Sequence, residues 1–332
     1  MKRLGFITLA LAAAAAMAIL PVATSLAFAS PLEPPAMQGR KVPRKWSGAK
    51  APELVETTVN GVKRSYYLYI PAKAALPAPV VFLFHGGGGN AWSIDYHVGG
   101  MAKLADEKGF VLVCPEGTDH QWNDGREVEG RTKGDDVAFI DQVIDNLVSK
   151  KVADSSRIYS CGISNGGFFS QYLAQRLKGK ITAVASVAAS VSEVMAASSM
   201  SREPIMFVLG DNDPLVPFKG GRVGGKLIRK SRGSVIPFDS AIEAYRSANS
   251  AGALTLQKQL PDLAPADACR ASVMRYGAEG DPAEVLVYKI DGGGHTWPQG
   301  LQYLPAALVG PVCQDFNCNE AIWSFFSTHR KQ

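Results

Sequence analysis

The sequence predicts an α/β fold, a mainly parallel sheet covered by helices on both faces with an antiparallel hairpin at its N-terminal edge. Three observations carry this. Short apolar runs recur along the chain: "APVVFLF", "GFVLVC", "RIYSC", "ITAVASVAA", "PIMFVLG" and "EVLVYKI". Continuous apolar runs of this length suit strands buried on both faces, as in parallel sheets. Amphipathic helical stretches separate most of them, the alternation that builds α/β layers. The segment "ELVETTVNGVKRSYYLYI" alternates about Asn60-Gly61, a two-residue hairpin signal.

Taken in order, residues 1–29 open with Lys2 and Arg3, continue through an apolar stretch and end in Ala27-Phe28-Ala29. That layout predicts a secretory signal peptide cut after Ala29, and a secreted or periplasmic product without stable membrane insertion. Residues 30–52 are rich in proline and basic residues and lack periodicity, so an extended leader is expected. Residues 53–332 then form one catalytic domain. Helices are expected near residues 135–150, 165–177 and 237–251, with a last one in "NEAIWSFFSTHR". The segments "KGGRVGGKLIRKSRG" and "LPDLAPADAC" read as loops.

The chain has 332 residues, 46% of them hydrophobic, enough for a large core. Its formal charge is +5. Removal of Lys2 and Arg3 would leave +3, and no basic run is interleaved with aromatics, so nucleic acid is not an expected partner. Five cysteines are consistent with an oxidising compartment and one bridge among three of them. The strand "PVVFLF" is expected between "GFVLVC" and "RIYSC", which puts Cys114 and Cys161 two strand spacings, about 9–10 Å, apart. That is too far for a bridge, so both should be free and buried. The short "CQDFNC" loop favours Cys313–Cys318, leaving Cys269 over; Cys269, in a polar segment, is the alternative partner for either of them.

The stretch "RIYSCGISNGGFFSQYLAQRL" holds an apolar strand, a Gly162-Ile163-Ser164-Asn165-Gly166 turn and a helical pattern. A serine at a sharp strand-to-helix turn is raised above the sheet, and close packing around it demands glycine on either side. Ser164 is therefore the candidate nucleophile. A hydroxyl needs a base, and the base an orienting carboxylate. His295, on the glycine-rich loop after "EVLVYKI", is the candidate base, while His329 reads as a solvated helix residue. Asp211 and Asp213 both follow "IMFVLG" and either suits the acid. The glycine run "FHGGGGN" lacks the Gly-Lys-Ser/Thr ending of a phosphate loop. It instead offers the Gly87 amide to an oxyanion, beside the amide of Asn165, with His85 bracing the loop. Trp122 and Trp297 are candidates to line the mouth, with core packing as the alternative. No histidine pair has zinc-motif spacing, and no dinucleotide fingerprint follows the first sheet strand, so neither metal nor cofactor is expected.

The pieces "FHGGGGN", "QWNDG", "DDVAFIDQVID", "RIYSCGISNGG", "GDNDPLVPF", "GGGHTWPQG" and "AIWSFF" occur in the order found in a known group. On them the chain resembles the secreted α/β-hydrolase esterases of the polyhydroxybutyrate depolymerase-like and feruloyl esterase type. The resemblance implies a serine carboxylester hydrolase with Ser164 as nucleophile, His295 as base and, through the Asp-Pro-x-Val-Pro match, Asp213 as acid. No attached substrate-binding domain is evident, which implies small or oligomeric ester substrates, of plant cell-wall or polyester origin. A non-catalytic binding protein on the same fold, or a serine peptidase, are the alternative readings.

Overall fold

The computed structural model describes residues 45–332 apart from residues 127, 129–133, 199, 201 and 226–229. The expected signal peptide and residues 30–44 of the expected leader lie outside the described residues.

The strands are β1 (Glu53–Val59), β2 (Val62–Tyr69), β3 (Ala78–Phe84), β4 (Val111–Pro115), β5 (Ala153–Ile163), β6 (Ala183–Val187) and β7 (Ile205–Gly210). A short pair, β8 (Gly221–Arg222) and β9 (Ser234–Val235), precedes β10 (Leu254–Gln259), β11 (Arg270–Tyr276) and β12 (Val285–Asp291). The helices are α1 (Ile94–His97), α2 (Met101–Lys108), α3 (Asp136–Ser149), α4 (Asn165–Arg176), α5 (Glu193–Ala196), α6 (Phe238–Asn249), α7 (Ala306–Val309) and α8 (Cys318–Ser327).

The main sheet has the order β1-β2-β4-β3-β5-β6-β7-β12-β11-β10. From β4 across to β12 all neighbours run parallel, and both margins are antiparallel. The opening hairpin turns at Asn60 and Gly61, whose φ angles of 50° and 78° meet the double positive-φ requirement of a tight type I′ turn. Side chains alternate across the strands. Val80, Phe82 and Phe84 join one buried cluster with Phe139, Ile140 and Val143 of α3, Phe169 of α4 and Ile242 of α6. Val81 and Leu83 join the opposite cluster with Leu104 of α2 and Phe325 and Phe326 of α8. The sheet is thus covered on both sides, as its apolar runs require.

Several expectations change here. β10 and β11 extend the sheet beyond β12, although "LTLQKQ" is almost wholly exposed and carries no apolar run. Residues 45–48, expected in the extended leader, pack on the fold. Trp46 is buried, with ring centroids 5.8 Å from Tyr67 and 6.1 Å from Trp92. Ser47 donates its amide to the buried Asp95 carboxylate at 2.8 Å. His329 is buried rather than solvated. It follows the end of α8, with Nδ1 2.7 Å from the Phe325 carbonyl and Nε2 3.3 Å from Glu284.

The strand order β4-β3-β5 separates Cys114 from Cys161 as expected, and both are free and buried. The late cysteines do not follow the expected pairing. Cys269, Cys313 and Cys318 are all free, buried thiols; the Cys269 and Cys313 sulfurs lie within 4.8 Å of each other, and Cys318 lies in the core at the start of α8.

Candidate active site

Ser164 lies between β5 and α4 with φ 56° and ψ −120°. A non-glycine residue held there carries strain of about 1–3 kcal/mol. The flanking glycines explain why the turn closes. A Cβ at Gly166 would collide with the Phe84 carbonyl oxygen and lie 2.7 Å from that of His85, while one at Gly162 would lie 2.7 Å from Phe84 O. The turn therefore rests directly on the end of β3. The Ser164 amide donates to Val187 O at 2.9 Å, fixing the turn to the end of β6 as well.

Asp213 follows β7 and His295 follows β12, so both lie at the same carboxyl edge as Ser164. His295 Nδ1 is 2.7 Å from Asp213 Oδ2, and the two side chains are only 3% and 2% exposed. The other Asp213 oxygen accepts the amides of Leu215 at 2.7 Å and Val216 at 2.8 Å. A carboxylate that accepts from two backbone donors is held in one rotamer, so its free oxygen is aimed at the imidazole. Asp211 plays a different part. It is exposed, and its Oδ1 accepts the Gly292 amide at 2.7 Å, tying the loop after β7 to the loop after β12.

The histidine loop is stitched to the chain that follows it. The His295 amide donates to Val309 O at 2.6 Å, and the Gln299 amide to Cys313 O at 2.9 Å. Tyr303 donates its hydroxyl to His295 O at 3.2 Å. Burial, and then the Asp213 charge, hold the Tyr303 hydroxyl well above its ordinary pKa, so it remains a donor.

The glycine loop after β3 runs beside the turn, since a Cβ on Gly86 would lie 3.6 Å from Ser164 Cβ. Gly87 lies against the side-chain amide of Gln121. Asn165 opens α4, so its amide is one of the first-turn donors without an intrahelical acceptor. His85 braces the loop as expected. Its Nδ1 donates to Gly86 O at 2.8 Å, and its Nε2 accepts the Gly117 amide at 3.1 Å. This is the hydrogen-bonding pattern of a neutral imidazole. Burial drives its pKa down to about 4.

Trp122 and Trp297 do not line a mouth. Trp122 is fully buried, stacks on Phe169 at 4.9 Å and donates to His85 O at 2.9 Å. Trp297 is 2% exposed and donates to Asn319 at 3.0 Å. Both indoles fill the core beneath the loops.

The sequence reading missed what holds Asn165. Its side chain accepts the Trp122 amide at 2.8 Å and donates to Trp122 O at 3.0 Å and to Asp124 Oδ2 at 2.6 Å. Asp124 is paired with Arg126 at 2.6 Å, and the Arg126 guanidinium lies 3.8 Å above the Phe168 ring. These contacts span about 40 positions, so no local periodicity announces them. Asp124 and Arg126 sit in the polar stretch "QWNDGREVEG", which gives no local sign that the pair is buried.

Residues 64–219 match a family model described as esterase PHB depolymerase. NocK of Nocardia uniformis subsp. tsuyamanensis, which bears an esterase name, is 29% identical over 268 residues, covering 77% of this chain and 76% of NocK. The bifunctional acetylxylan esterase/xylanase XynS20E of Neocallimastix patriciarum is 30% identical over 165 residues, 48% of this chain and 23% of that protein. Feruloyl esterase C of Emericella nidulans is 28% identical over 179 residues, covering 50% of this chain and 62% of that enzyme. The match thus spans less than two thirds of the last two proteins. Among solved structures, the acetyl xylan esterase from Aspergillus awamori superposes with a TM-score of 0.54 at 14% identity, over 83% of this chain and 99% of that one. That likeness, with the mostly parallel sheet, makes this an α/β-hydrolase fold.

Proposed function

Because the chain belongs to the polyhydroxybutyrate depolymerase-like and feruloyl esterase family of carboxylic ester hydrolases, we propose that it cleaves esters through Ser164, Asp213 and His295. His295 takes the proton of Ser164 as the hydroxyl oxygen attacks the ester carbonyl. The Asn165 and Gly87 amides stabilise the resulting oxyanion. The protonated imidazole then gives its proton to the departing alcohol. Water, activated by the same histidine, releases the acid from the acyl-serine.

The observation that carries this reading is the buried 2.7 Å contact between His295 and Asp213 at the sheet edge where the strained Ser164 turn also ends. The substrates proposed are small or oligomeric esters of feruloyl, acetyl or hydroxyalkanoate type, by similarity to the acetylxylan and feruloyl esterases and to the PHB depolymerase family model above. The leading 29 residues are proposed to direct export.

Purified protein should release p-nitrophenol from p-nitrophenyl acetate with an initial burst, and a fluorophosphonate should label Ser164. No turnover together with an unlabelled Ser164 refutes the mechanism. Comparing kcat/KM on methyl ferulate, acetylated xylan and hydroxybutyrate oligomers then orders the substrate classes.

A further inference from the structure

Cys269 and Cys313 stand about 45 residues apart in sequence, yet Asp267, Cys269 and Cys313 place a carboxylate oxygen and two sulfurs within 4.8 Å of one another. Both cysteines are 1% exposed. The placement is held by backbone contacts independent of the sulfurs. Asp267 accepts the amides of Cys269 at 2.7 Å and Gln314 at 2.8 Å. Asp315 accepts those of Leu263 at 3.2 Å and Ala271 at 2.8 Å. Three of these contacts, Asp267 with Gln314 and Asp315 with Leu263 and Ala271, fix the chain entering β11 against the segment around Cys313, and the fourth closes the local turn from Asp267 to Cys269.

We propose that Cys269 and Cys313 form a disulfide when the protein folds in an oxidising compartment, covalently closing the segment that carries β12 and the His295 loop. The compartment rests on the export proposed above; the pairing does not. A disulfide requires the sulfurs at ~2.05 Å, a closure of at most about 2.7 Å from within 4.8 Å that rotation about the Cα–Cβ bonds can supply. Either cysteine can lead, and the balance is the same. With Cys313 as the first thiolate, its sulfur attacks a sulfur of oxidised glutathione, releasing one glutathione thiolate and leaving a mixed disulfide. Cys269, losing its proton, attacks the Cys313 sulfur and releases the second glutathione thiolate. The two cysteines lose two electrons and two protons, and one glutathione disulfide becomes two glutathione thiols. Burial of both sulfurs makes this a step of folding, before the segment closes.

A metal is the competing occupant of the same three groups. It is disfavoured because the described residues offer three ligands there, where a closed structural site takes four. The bond would also brace the candidate base, since Cys313 O accepts the Gln299 amide four residues beyond His295.

The test refolds the whole protein from guanidinium in a glutathione redox buffer, so the outcome does not depend on export. Thiols are blocked under denaturing conditions and the unreduced digest is mapped by mass. The expected result is a Cys269–Cys313 linked peptide, with Cys114, Cys161 and Cys318 carrying the blocking group. Refolding in reductant should lower Tm by roughly 10 °C, the scale expected for a cross-link closing a loop of this length in a domain of this size. The Cys269→Ala/Cys313→Ala double variant should lose that redox dependence. Five blocked cysteines, a Cys313–Cys318 link, or one zinc held per chain with no linked peptide would each overturn the pairing.

Discussion

Replacing Asp213 by asparagine separates the fold from the chemistry because the two carboxylate oxygens have different duties. Oδ1 accepts the Leu215 and Val216 amides, and Oδ2 faces His295 Nδ1. Asparagine keeps an oxygen for the two amides, so the turn after β7 survives. Its NH2 group then faces Nδ1 and demands an acceptor there. The imidazole proton moves to Nε2, the nitrogen that must be unprotonated to receive the serine proton. On the triad precedent this tautomer change costs about 10⁴-fold in kcat, which is ~5.5 kcal/mol of activation free energy. The structural loss is one charge-assisted hydrogen bond, about 1.5–3 kcal/mol, or a fall in Tm of several degrees. The assay is steady-state hydrolysis of p-nitrophenyl acetate alongside a thermal melt, with Asp211→Asn as control. Asp211 makes one exposed contact to the Gly292 amide, which an asparagine oxygen can keep, so that variant should retain at least half of wild-type kcat. If Asp213→Asn stays within tenfold of wild type, or Asp211→Asn loses more, Asp213 does not orient the base.

Ser164→Ala should lose about a million-fold in turnover and remain folded by circular dichroism; near-normal turnover rejects the nucleophile. Ser164→Gly should be equally inactive but melt higher than Ser164→Ala, because glycine adopts φ 56° without the strain carried by a Cβ. An equal or lower Tm would remove strain from the account of the turn. Gly166→Ala should lose more than about 3 kcal/mol or fail to fold, since its methyl meets two backbone carbonyls that cannot move away; a stable, active variant contradicts the packing. His85 has a folded pKa of about 4 against 6.5 for the free side chain, so the unfolded chain binds the proton first. Stability from this group is complete above pH 6.5 and falls as pH drops towards 4, by roughly 3 kcal/mol in all. Urea unfolding of wild type and His85→Gln across that range should show this loss in wild type alone; parallel pH profiles would place the titration elsewhere.

The central fold was legible because the local and global signals agree. The runs that became β3, β4, β5, β6, β7 and β12 are apolar on both faces, and Asn60-Gly61 supplied the one hairpin geometry that two positive φ angles allow. The margin beyond β12 was not legible. β10 reads "LTLQKQ" and is exposed along most of its length, so what makes it a strand is backbone pairing with β11, which leaves no hydrophobic period. Trp46 was lost for the opposite reason: a single aromatic in a proline-rich, basic stretch becomes buried only because Tyr67 and Trp92 stand beside it.

At the site, residues fixed by backbone geometry were readable and those fixed by side-chain partners were not. Ser164 is announced by glycines two positions either side, because steric exclusion at the turn acts on the sequence at fixed spacing. Asp211 and Asp213 remained equivalent until the motif resemblance chose between them. What distinguishes them physically is that Asp213 turns back onto Leu215 and Val216 while Asp211 reaches across to Gly292. The tryptophans and the late cysteines show the same limit. An indole on a loop stays undecided between mouth and core until the Asn319 acceptor 22 positions away is known, and a thiol five residues from another reads as its partner until the Cys269 sulfur is found within 4.8 Å of Cys313. The Asp267 and Asp315 contacts that hold the strand entry against the Cys313 segment are the stronger physical constraint on which sulfurs meet.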